Sequence, residues 1–124
     1  MKYIEFKAAD TEVFKYFYSA CLMVGKLDLV KDDIRIHAKL MDAIEANSAK
    51  PDKSDEPYKL PEGLGLILTL EDAYYNLAKR IIDQFSFNPA LSRKVAPLYD
   101  IIDKATDKPI LSVSNGSGSS ATPK

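Results

Sequence analysis

The sequence predicts a mainly α fold with a small two-stranded sheet, an α+β domain built on a four-helix core. Three observations predict it. Four stretches carry apolar residues at helical spacing. Two short stretches, around Ile4 and around Leu66, have the length and composition of strands. The order strand, helix, helix also occurs twice, so the chain echoes itself.

The first strand is predicted from Lys2-Tyr3-Ile4-Glu5-Phe6-Lys7, which alternates polar and apolar residues and sets Ile4 and Phe6 on one face. Asp10 or Thr11 then caps a first helix whose stripe is Val13, Phe17, Ala20, Cys21 and Val24, ending near Gly25. Its other side carries Phe14, Tyr18, Leu22 and Met23. A helix apolar over so much of its circumference is either buried all round or meets a partner. The second helix follows residues 28–33, with Val30, Ile34, His37, Met41 and Ile44 on its expected inner face. Residues 47–58, polar and holding two prolines, are expected to form a loop.

In the second half, Leu64, Leu66, Ile67 and Leu68 predict a buried strand. Thr69 is expected to cap the third helix, with Glu71 and Asp72 at the positive end of its dipole. The expected stripe is Leu70, Tyr74, Leu77, Ile81 and Phe85, widened by Ala78 and Ile82. Asn88-Pro89 opens the fourth helix, with Leu91, Val95, Leu98, Ile102 and Ala105 inward and a kink or break at Pro97. Residues 108–113 could add a short edge strand. Residues 112–124 (SVSNGSGSSATPK) have almost nothing to bury and read as a flexible tail, leaving residues 1–111 as one domain.

An offset of 58 pairs Thr11 with Thr69, Tyr16 with Tyr74, Ala20 with Ala78 and Arg35 with Arg93. It also pairs Ala38 with Ala96, Leu40 with Leu98, Asp42 with Asp100 and Ile44 with Ile102. These eight identities over 38 positions predict tandem strand–helix–helix units at residues 2–48 and 64–106, each completing the core of the other.

Composition narrows function by exclusion. With 17 basic and 18 acidic residues the net charge is −1, so no global attraction to nucleic acid or anionic lipid follows. One cysteine excludes an internal disulfide and fits a reducing, cytoplasmic setting. The most apolar segment, residues 13–24, is shorter than the roughly 20 residues a bilayer requires, so no membrane partner is expected. No Walker loop, dinucleotide fingerprint, nucleophile elbow, calcium loop or zinc motif occurs, so no catalytic, cofactor or metal residue is assigned. His37, the single histidine, takes the position matching Val95 and reads as structural. Cys21 reads as a small buried hydrophobe.

Seven tyrosines and five phenylalanines are the better lead. Tyrosine suits interfaces because it joins contact area to a polar tip. Phe14, Tyr18, Leu22 and Tyr75 are accordingly the expected protein-interface residues, for a second copy of the chain or another protein. The alternative is a nucleic-acid surface of Arg35, Lys39, Arg80, Arg93 and Lys94 on outward helix faces. The run Leu68-Thr69-Leu70-Glu71-Asp72-Ala73-Tyr74, followed by Val95-Ala96-Pro97-Leu98 before Ile102 and Ala105, resembles small accessory proteins of tailed bacteriophages. That resemblance covers the C-terminal third and implies a small, intracellular, protein-binding role. It transfers no functional residue, and Tyr74-Tyr75 stands where a charged residue is common.

Overall fold

The computed structural model describes residues 1–24, 28–61 and 63–109. Strand β1 (Lys2–Phe6) leads through a 3₁₀ turn into α1 (Thr11–Met23), and α2 is Lys31–Asn47. Then come β2 (Leu66–Leu70), α3 (Asp72–Gln84), a second 3₁₀ turn and α4 (Ser92–Asp103). The mainly α fold with one two-stranded sheet is the one expected.

The strands pair antiparallel, with Ile4 opposite Leu68 at the centre of the register. Ile4, Phe6, Leu68 and Leu70 point into the core and are almost wholly buried. The helices form a row in the order α2, α3, α1, α4; α2 lies against β2, and α4 against β1. Each second helix therefore packs chiefly on the first helix of the other half. The two halves share one core, whose aromatic centre is Phe6, Phe14 and Phe17. Phe6 and Phe14 meet edge to face at 5.0 Å.

The gapless offset of 58 fits only part of this arrangement. It aligns the buried pairs Leu40/Leu98 and Ile44/Ile102 of the second helices. The strand centres, Ile4 and Leu68, are 64 apart, and the first helices, Thr11–Met23 and Asp72–Gln84, are 61 apart. Four residues join β1 to α1, whereas Glu71 alone joins β2 to α3, which accounts for the step from 64 to 61. Thr11 is thus not the counterpart of Thr69, since one opens a helix and the other lies in a strand.

Several local expectations change for the same reason, that partners across the fold decide phase. Thr69 and Leu70 continue the strand, so Glu71 rather than Thr69 is the residue before α3. The inner face of α3 keeps the expected Leu77, Ala78, Ile81 and Ile82 but adds Tyr75, leaving Tyr74 at its margin. The buried residues of α2 are Leu40, Met41 and Ile44, with Ile36 packed beside them, while Val30 and Ile34 face outward. Val24 takes a left-handed backbone at the end of α1, with φ 62°, and its N–H reaches Ala20 O, while Gly25, the residue expected there, lies outside the described residues. A β-branched residue there is strained by roughly 1–2 kcal/mol. Asn88 does cap the turn before α4, accepting from Ala90 N–H, but α4 runs unbroken through Pro97. The loop expected at residues 47–58 starts at Ser48 and is pinned by a bridge between Ala49 and Lys59.

After α4, Thr106 returns to bridge Tyr3 on the outer edge of β1, with bonds of 2.9 and 3.1 Å. Lys2 and Asp107 fasten the same end at 2.9 Å. The expected strand at residues 108–113 lies mostly outside the described residues, and Lys108 and Pro109 are not in one. The expected tail at residues 112–124 lies wholly outside them.

Candidate interaction surface

Of the four residues expected at a protein interface, three are interior. Phe14 is fully buried in the aromatic centre. Tyr75 is buried, donates its hydroxyl proton to Ile102 O at 2.8 Å, and has the Lys2 ammonium 5.6 Å from its ring centre. Tyr18 is buried too, with its ring 5.3 Å from that of Tyr58 and its hydroxyl donating to Glu45 Oε2 at 2.7 Å. Burial, then the bond to Glu45, holds the Tyr18 phenol well above its ordinary range. These rings are shared among elements of this chain, which is why they cannot form its outer surface. Leu22 alone is exposed, at 52%.

Leu22 is nonetheless the start of a real feature. The last turn of α1 also exposes Met23, at 68%. Across the corner, the entry to α2 exposes Val30 and Ile34. Asp32 and Asp33 sit in the first turn of α2, where the dipole favours acids. Two contacts set α2 in place beside this corner. His37 Nε2–H donates to Cys21 O at 2.7 Å, and Arg80 reaches Asp33 at 3.6 Å. The His37 bond ties the second turn of α2 to the last turn of α1. Burial pushes the Cys21 thiol up, away from thiolate chemistry.

On its other flank the end of α1 borders a groove of about 520 Å³. Its lining includes Tyr18, Leu22 and Met23 of α1 together with Pro51, Pro57 and Tyr58. The loop that carries the two prolines is held by Ala49 and Lys59, which exchange backbone bonds of 2.7 and 3.0 Å. Sequence reasoning missed Met23, Val30 and Ile34 as surface residues. The sign was there: α1 has more apolar circumference than one core can take, and α2 offers two overlapping stripes.

A second recess, of about 310 Å³, lies between β1 and α4 and mixes Glu5, Asp10 and Asp100 with Lys7 and Lys104. Among the described residues no group of three or more His, Cys, Asp or Glu side chains is placed to hold a metal ion. No helix among them is long and apolar enough to cross a membrane.

The five basic residues of the nucleic-acid alternative are not brought together. Arg35 and Lys39 are on α2 and Arg93 and Lys94 on α4, at opposite ends of the helix row. Arg80 leans to Asp33, and Lys94 lies 3.9 Å from Glu12.

The fold and this surface define the chain as an α+β domain with an apolar corner. No protein-family model matches the sequence, no curated protein matches it, and no solved structure matches it.

Proposed function

We propose that this protein is a small non-catalytic interaction or assembly factor, and that the corner between α1 and α2 is where it binds another protein. One observation carries the reading. Among the described residues six large hydrophobic side chains are exposed, and four of them, Leu22, Met23, Val30 and Ile34, come from this corner. Singly exposed apolar residues are ordinary, but a group of them marks a contact site. Methionine adds to this, because its flexible thioether adapts to varied partners. The tyrosine- and proline-lined groove beside it offers the amphipathic surroundings that protein interfaces favour.

The test changes Leu22 and Met23 to serine together, in the full chain. Both are exposed, so the far-UV spectrum and thermal midpoint should stay within a few degrees of the parent. Proteins captured by the immobilised parent from its own cell should be lost, by tenfold or more, from the double variant. A folded double variant that keeps every partner would overturn the assignment.

A further inference from the structure

Among the described residues the outer edge of β2 has no cover of the kind that β1 has. Tyr3 gives both its backbone groups to Thr106, away from β2. In an antiparallel ladder, N–H and C=O of one residue point to the same side, and successive residues alternate. Tyr3 lies opposite Thr69, and Glu5 opposite Ile67, so these are the pairs that do not exchange bonds across the ladder. Thr69 and Ile67 therefore turn their N–H and C=O groups outward, to the far edge of β2. Among the described residues no hydrogen bond meets either amide. The chain leaving α4 covers the edge of β1, but the chain leaving α2 turns aside at Ser48 and pairs Ala49 with Lys59.

This edge also lacks the usual protection. Natural edge strands carry lysine, proline or an inward charge that discourages pairing with another chain. Residues 63–70 read GLGLILTL, with no charge and no proline.

We propose that β2 pairs antiparallel with β2 of a second copy across a twofold axis at Leu68, making a four-stranded sheet β1-β2-β2-β1. The spacing of the outward groups fits that partner. With Leu68 on the axis, Ile67 of one copy faces Thr69 of the other, twice, and each pair exchanges two bonds, giving about four in all. Charge fits as well. Glu71 and Asp72 come opposite the uncharged Gly65 and Leu64 of the second copy, whereas parallel pairing would set acid beside acid. The interface is separate from the α1–α2 corner and stands whether or not that corner binds a partner.

The test measures molar mass of the full chain over a range of concentrations, with hydrogen exchange on the same samples. The parent should approach twice its monomer mass, and the Ile67 and Thr69 amides should slow at least tenfold as it does. Ile67→Lys with Thr69→Lys places lysine opposite lysine at both pairs and should leave a monomer of unchanged far-UV spectrum. Thr69→Pro removes an outward N–H without touching the bonds to β1 and should do the same. Leu22→Ser with Met23→Ser should leave the dimer intact. A parent that stays monomeric overturns the proposal, including one whose Ile67 and Thr69 amides are already protected by the chain's own C-terminal residues. So does a dimer in which those amides exchange freely, a measurement that holds even if the variants fail to fold.

Discussion

Tyr18 buries its ring against Tyr58 and donates its phenolic proton to Glu45 at 2.7 Å. A hydrogen bond to a charged acceptor that would otherwise lose its partner is worth about 1–2 kcal/mol. Tyr18→Phe should therefore lower unfolding stability by about that much at pH 7, read from urea midpoints. The pH dependence has a definite sign. The folded phenol titrates above its unfolded value, because of burial and then Glu45. Its contribution is thus fully present below about pH 10 and is lost as pH rises further. The gap between parent and variant should shrink at pH 11; an undiminished gap would contradict the assignment. None of this was legible in the sequence, where Tyr18 looked like an outward residue. Its partners, Glu45 and Tyr58, lie 27 and 40 positions further on, and local periodicity carries no information about them.

Element by element, the chain was more legible at helix and strand existence than at helix phase. Asn88-Pro89 is local chemistry and falls where expected; acids do sit at the starts of α2 and α3, but α2 begins at Lys31 and α3 after Glu71 rather than after Thr69. Pro97 is different: of the kink or break that the sequence predicts, the break does not occur, and the helix carries on. With Leu98 and Ile102 both buried in the shared core, packing outweighs the missing donor. Proline leaves Arg93 C=O without its usual i+4 partner, and Pro97 is itself exposed. Pro97→Ala should restore that bond and raise stability by about 1–3 kcal/mol. A drop in the thermal midpoint would mean that the ring is needed where it lines the recess beside β1. The phase of α2 was undecidable locally, because Val30/Ile34/His37/Met41 and Ile36/Leu40/Ala43 both make helical stripes. Contact with α3 and β2 selected a face between them, with Leu40, Met41 and Ile44 buried and Ile36 and Ala43 beside them, and that choice is what exposes Val30 and Ile34.

For the molecule as a whole, the cross-packing of halves predicts one cooperative unit. Leu40 on α2 and Leu98 on α4 are both fully buried, one in each half. Leu40→Ala and Leu98→Ala should each move the same single unfolding transition, by about 2–5 kcal/mol. Two resolved transitions, with each variant moving only one, would show that the halves fold separately. The expectation follows from the row α2, α3, α1, α4, in which neither half can close a core without the other.

The sequence by itself determined the element inventory: four helices, two short strands and their order. Those depend on residue spacing, capping groups and strand composition, all of which act within a few positions. Tertiary structure alone decided which apolar residues are surface. Phe14, Tyr18 and Tyr75 went inward and Met23, Val30 and Ile34 outward, because burial is settled by what stands across the fold. It also decided that the chain leaving α4 covers β1 while the chain leaving α2 passes β2 by. Backbone hydrogen bonding between distant strands has no local sequence code, and so the edge of β2, uncovered among the described residues, appears only once the fold is closed.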